Sequence, residues 1–187
     1  MNDLCFKCEL SIYRKRMVFG VGTGKSGIML LGTSPTVGDD RSGKPFTGRA
    51  GKFLKKTIKA AGFKESDLFI TLAVKCRPFN NRQPTMLELD ACRYLLQKEV
   101  DSHEFDMIIT FGSASLSTVY NKTMSATYFQ SKILRKGKVT IIPMFHPNYV
   151  LYNPATLPQW IEGWLKVVKH YRQFVPYHQE QLKKLKI

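Results

Sequence analysis

The sequence predicts an α/β fold in which a parallel sheet is covered by helices on both faces. Two observations carry this. Four short runs dominated by apolar residues lie at 28–31, 67–74, 106–111 and 139–144, too short for helices and too continuous for half-exposed strands. Stretches with helical spacing follow them, so strands and helices alternate along the 187 residues. A third observation places the ligand. The loops after the first and last runs are rich in Gly, Pro, Ser, Thr and Asn, and open α/β sheets bind ligands where such loops leave the carboxyl ends of strands.

Residues 1–27 read as irregular. Gly22-Thr23-Gly24-Lys25-Ser26 looks like the end of a phosphate-binding loop, but Phe19 stands where that pattern needs Gly, and the segment precedes its strand. It reads as a turn into the first strand. The long loop after residue 31 feeds a helix over 49–61, with Ala50, Phe53, Leu54, Ile58 and Ala61 on one face. After the second strand comes a loop over 75–84. Thr85 then caps a helix running to about Val100, with Glu88 completing a capping box. Gly112-Ser113 opens a helix over 114–120 after the third strand. The fourth strand leads into Pro143-Met144-Phe145-His146-Pro147-Asn148-Tyr149, a second loop expected to face the first across one site. The last helix spans 157–174 and Pro176 closes it. These elements make one domain over 1–176, followed by a basic tail over 177–187 with Lys183, Lys184 and Lys186.

An apolar content of 43% against 23% charged residues makes the chain globular rather than disordered. No apolar run reaches the roughly 18 residues a membrane helix needs. Cys5 and Cys8 stand where a signal peptide would have its apolar core, so secretion is not expected; the chain is expected to be cytoplasmic, nucleoid-associated and a monomer. The net charge of +15 favours a polyanionic partner, with nucleic acid first and a membrane surface far behind.

The four cysteines are Cys5, Cys8, Cys76 and Cys92. Disulfides are not expected in a chain without an export signal. Two pairs of thiolates can ligate zinc or an iron–sulfur cluster, and spacing does not choose between them. Either group would staple the N-terminus to the domain body.

Taken together, Cys5-x-x-Cys8, Gly32-Thr33-Ser34-Pro35, Asp39-Asp40, the run from Gly43-Lys44-Pro45-Phe46 to Gly51, Val74-Lys75-Cys76-Arg77-Pro78, Asn81-Arg82-Gln83-Pro84, Cys92 and His146-Pro147-Asn148-Tyr149 have a specific order and spacing. They resemble the family 4 uracil-DNA glycosylases, the iron–sulfur branch of the uracil-DNA glycosylase superfamily, over roughly residues 5–170. The resemblance implies a three-layer α/β/α fold around a four-stranded parallel sheet, a 4Fe–4S cluster on the four cysteines, and excision of a base from DNA. Two positions depart from the family. Its first motif reads Gly-Glu-x-Pro-Gly, the Glu positioning the attacking water; here those places hold Thr33 and Thr36. Its second strand carries an Asn that reads the base edge; here that residue is Leu72.

On this resemblance, Phe46 stacks on a flipped base and His146 donates a hydrogen bond to the base oxygen that gains charge as the bond breaks. Gly32, Ser34, Leu72 and Asn148 line the base site. Asp39 and Asp40 are the nearest acids for water activation, with turn capping as the other reading, and Thr33 can position a water. Arg41, Lys44, Arg49, Lys75, Arg77 and Arg82 are expected to anchor phosphates. The expected function is a monofunctional glycosylase acting on uracil or on a modified pyrimidine. Its alternative is a non-catalytic DNA-binding module that meets a replication or repair protein through the tail.

Overall fold

The computed structural model describes residues 5–171. The strands β1 (Ile28–Gly32), β2 (Phe69–Leu72), β3 (Met107–Phe111), β4 (Leu134–Lys136) and β5 (Val139–Met144) form one sheet in the order β2-β1-β3-β5-β4. The four predicted strands are the parallel ones: β1 pairs with β2 and β3, and β3 with β5. The expected four-stranded sheet gains a fifth strand, β4, antiparallel to β5. This edge strand has three residues, ends in Arg135 and Lys136, and turns at Gly137 with φ +60°. So short and charged an edge carries no readable periodicity.

Every residue of β1 is buried because alternate side chains enter two different cores. Ile28 and Leu30 join a layer completed by α3 (Arg49–Ala60) and α8 (Leu157–Tyr171), where Trp160 and Trp164 are fully buried. Met29 and Leu31 join the opposite layer, under α4 (Met86–Asp101) and α5 (Ser113–Tyr120). Burying such side chains contributes about 1.5–3 kcal/mol each, so the two-sided sheet is the main source of stability.

The boundaries follow local chemistry. Thr85 caps α4 as its sequence requires: the Glu88 N–H donates to Thr85 Oγ1 at 3.2 Å, and the Thr85 N–H donates to the Glu88 carboxylate at 2.7 Å. Residues Glu65–Asp67 form a single 3-10 turn, so β2 begins later than the apolar run suggests. Past its end, the N–H groups of Ala73 and Val74 still donate to the Gly32 and Thr33 carbonyls at 2.9 and 3.1 Å. The last helix is described to Tyr171; its expected end at Phe174 and Pro176, and the tail over 177–187, lie outside the described residues. Among the described residues no helix is long and apolar enough to cross a membrane.

From β1 the chain crosses to β2 on one side and later enters β3 on the other. The carboxyl ends of β1 and β3 therefore flank a crevice, the expected ligand position in an open α/β sheet. The loop after β1 contains a short helix, α2 (Val37–Ser42), and the loop after β5 contains another, α7 (Pro147–Tyr152).

Candidate active site

The first wall of the crevice is built around one carboxylate. Asp39 Oδ2 accepts from the Thr36 N–H and hydroxyl at 3.0 and 2.9 Å, and Oδ1 accepts from the Thr47 N–H and hydroxyl at 2.7 and 2.6 Å. The same side chain thus caps α2 and ties residue 36 to residue 47. Between those anchors the backbone must turn sharply, and Phe46 takes a left-handed φ of +54°. Such a conformation costs on the order of 1–3 kcal/mol for a residue with a side chain. Two glycines make room for it. A Cβ at Gly51 would lie 1.7 Å from the Phe46 carbonyl oxygen, and one at Gly32 would lie 2.6 Å from both Phe46 Cζ and Leu72 Cδ2.

The second wall carries His146. It stands before Pro147 as the cap of α7, and its Nδ1 accepts from the Asn148 N–H at 3.2 Å. A neutral imidazole with Nδ1 as acceptor carries its proton on Nε2. Burial pushes the His146 pKa down to about 4 against the opposing charge of Asp39, so the ring is neutral at physiological pH. Its plane lies within 21° of the Phe46 ring, the centroids 6.1 Å apart, and Phe46 meets Phe111 edge-on at 6.0 Å.

Between the walls is a cavity of about 250 Å³, lined among others by Ser34, Asp39, Phe46, Leu72, His146 and Asn148. A second cavity of about 540 Å³ adjoins it and shares Ser34, Thr36, His146 and Asn148. The aromatic face, the neutral imidazole and the enclosed space suit a planar ring with an acceptor oxygen. Gly32 packs beneath this pocket rather than lining it.

Several expected roles change. Asp40 is turned away from the cavities: its Oδ1 accepts from the Lys15 and Arg16 N–H groups at 2.8 and 3.3 Å, and Arg77 Nε lies 3.8 Å from Oδ2. Asp39 lines the base cavity, but its oxygens already accept four hydrogen bonds from residues 36 and 47, so its carboxylate is engaged in holding the loop. The Thr33 hydroxyl is bonded to the Phe111 carbonyl at 3.3 Å and to Ser115 Oγ at 3.2 Å.

Lys75, expected to anchor phosphate, is fully buried. Its ammonium donates to Glu99 at 2.6 Å and to Thr71 Oγ1 and the Leu72 carbonyl at 2.7 Å each. Burial lowers its pKa, and the Glu99 charge offsets only part of that. The guanidinium of Arg82 is held by Glu88 through two bonds of 2.8 and 2.6 Å, leaving it little to offer a phosphate. Arg77 is half-buried beside Asp40. Arg41, Lys44 and Arg49 are exposed, and Arg49 lines the smaller cavity. Glu99, which orders the loop after β2, gave no signal in the sequence, since a Glu in a helix is most often solvated; Thr47 lay inside the run from Gly43 to Gly51 but was given no role of its own.

All four cysteines pack in one apolar cluster, Cys76 and Cys92 buried and Cys5 and Cys8 half-buried. The Lys75 N–H donates to Cys92 Sγ at 3.3 Å, and Arg14 donates to Cys76 Sγ at 3.6 Å. Burial raises the Cys8 thiol and pushes Cys76 up to about 11 and Cys92 to about 12. Thiolates there need a cation to offset the desolvation. Among the described residues no three His, Cys, Asp or Glu side chains are grouped for a single metal ion.

The family model for the uracil DNA glycosylase superfamily matches residues 19–169. The type-4 uracil-DNA glycosylase of Saccharolobus solfataricus is 38% identical over 172 residues, covering 87% of this chain and 80% of that protein. The type-4 enzyme of Thermotoga maritima is 36% identical over 151 residues, covering 80% and 79%. A DNA polymerase of Bacillus phage SP01 is 30% identical over 146 residues, which are 78% of this chain and 16% of that polymerase.

Proposed function

This chain belongs to the uracil-DNA glycosylase superfamily, and from that membership we propose that it is a monofunctional DNA glycosylase that flips a pyrimidine from DNA and hydrolyses its N-glycosidic bond. The observation that carries the reading is His146: a neutral imidazole, its Nδ1 engaged, its Nε2–H left to donate across a cavity from Phe46. The flipped ring stacks on Phe46. As the glycosidic bond lengthens, negative charge collects on the base oxygen, and the imidazole N–H stabilises it more than it does the ground state. The sugar becomes cationic before water adds, and the proton that water then loses goes to solvent or to the departed base anion. Asp39, each of its oxygens accepting two hydrogen bonds, lines that space, and its carboxylate stabilises the cation electrostatically. Arg41, Lys44 and Arg49 hold the strand by its phosphates, and the +15 charge draws it in.

Leu72 supports a substrate other than plain uracil. Its apolar side chain faces the cavity where a polar base edge would lose a hydrogen bond, and such mismatches weigh heavily in selectivity. Cys5, Cys8, Cys76 and Cys92, four soft donors packed in one apolar cluster, are read as the ligands of a 4Fe–4S cluster. When bound it staples the N-terminus to the domain body. Anaerobically purified protein is expected to hold about four irons per chain; one zinc and no iron would overturn the assignment.

A second reading, a non-catalytic module that recognises DNA for a replication or repair partner, draws support from the relative that forms part of a phage DNA polymerase and from Thr33 in place of the family's Glu. The two part on one experiment. Wild type should release a base from at least one of uracil, 5-hydroxymethyluracil or a larger 5-substituted pyrimidine, in single- or double-stranded DNA. His146→Ala should cut that rate about a hundred- to a thousandfold while DNA affinity holds. No release from any of these leaves the module reading.

A further inference from the structure

The larger cavity lies beside the base cavity, and the two share the wall made by Ser34, Thr36, His146 and Asn148. At about 540 Å³ it is within the usual range of small-ligand sites, roughly 300–1,000 Å³. Its lining holds no Lys, Arg, Asp or Glu, in a chain of net charge +15. What it presents instead is uncharged: the amides of Asn81, Gln83 and Asn148, hydroxyls such as Thr123, and apolar surface from Met86 and Met124. The side chains of Gln83, Asn148 and Thr123 have no hydrogen-bond partner among the described residues. Asn80 and Asn81 both take left-handed backbone, φ +52° and +53°, so the loop that presents Asn81 stores strain. Where the family carries Glu, Thr33 ends at a hydroxyl already bonded to Phe111 and Ser115.

Resting on the glycosylase reading, we infer that this second cavity is a subsite for an uncharged, hydroxylated substituent on the flipped pyrimidine, carried at ring position 5. The pairing edge and the glycosidic nitrogen are already in use, which leaves position 5 as the place for a large group. A neighbouring nucleotide is the other occupant to weigh. It would bring its phosphate with it, and a nucleotide subsite would carry a cation for that charge. The absence of any cationic residue from the lining therefore favours a group attached to the base itself. Amides and hydroxyls over an apolar floor suit a hydroxyalkyl or glycosyl substituent.

The test reads binding alone. DNA strands carrying one 2′-fluoro-arabinonucleotide, which resists glycosidic cleavage, are prepared with uracil, 5-hydroxymethyluracil or its O-hexosylated form. The full-length wild type should bind the substituted strands about three- to tenfold tighter than uracil, the gain expected from one or two added hydrogen bonds. Gln83→Ala and, separately, Thr123→Phe should remove that preference while uracil affinity stays within about twofold; both positions are exposed, so folding should survive. Equal affinity for all three strands overturns the subsite. So does a preference that neither variant moves, or one that follows the flanking base rather than the substituent. A wild type that prefers the substituted strands yet releases no base from cleavable ones supports the subsite and sinks only the enzyme reading.

Discussion

Two loops leave neighbouring parallel strands at the same edge of the sheet, and each is ordered around one buried charge. After β1, Asp39 is satisfied by neutral donors alone, two backbone N–H groups and two hydroxyls, all from residues 36 and 47. After β2, Lys75 is satisfied by the opposite charge of Glu99, a hydroxyl and a carbonyl. The first charge remains beside a cavity and keeps its field there. The second is cancelled within the core. A buried charge held by dipoles can serve a site, whereas one neutralised by a counter-ion serves the fold. Glu99 makes the point again: its other oxygen accepts from the Gly20 N–H at 2.7 Å and ties the N-terminal segment to α4.

The largest effect expected is on the second loop. Lys75→Met leaves Glu99 buried without its counter-charge and should destabilise the fold by about 3–5 kcal/mol, read by urea unfolding. Pairing it with Glu99→Leu should recover most of that loss, because the stranded charge is gone. If the double variant is as unstable as the single one, the pair is not self-cancelling and the contrast with Asp39 fails.

A smaller stability effect is expected at the first loop. Asp39→Asn keeps the size but turns an NH2 group toward donors that need an acceptor, at a cost of roughly 1–3 kcal/mol. Its larger signature should be kinetic, because the field beside the cavity is removed: kcat for base release falls while DNA affinity changes little. A loss confined to stability, with kcat intact, would make Asp39 a scaffold like Lys75 and erase the difference between the loops.

The chemistry legible in advance was the kind that local residues fix. The alternation of apolar runs with helical spacing gave the four parallel strands, and Thr85 with Glu88 gave the start of α4, because a cap is settled within three residues. The ordered motifs from Gly32 to Tyr149 pointed to the superfamily that the family model matches. The short helix α2 was hidden inside a loop rich in Gly and Pro, although Thr36 and Asp39 carry its capping box. Capping of this kind was one of two readings open for Asp39, and it is the one its hydrogen bonds take up.

By itself, the sequence determined the strand order along the chain, the two pairs of cysteines, the strong positive charge, and the loss of Glu and Asn at positions 33 and 72. Only the tertiary structure decided which charges stand free at the surface and which are taken up by a counter-charge. Lys75 and Arg82 look like phosphate ligands in a line of text, yet Glu99, 24 residues away, and Glu88, six away, claim them. The reason is physical. Local patterns are set by hydrogen bonds and burial within a few residues, whereas a charge finds its partner through the fold. Desolvation penalises an unpaired buried charge so heavily that the partner must be there, but nothing in the neighbouring sequence says where it comes from.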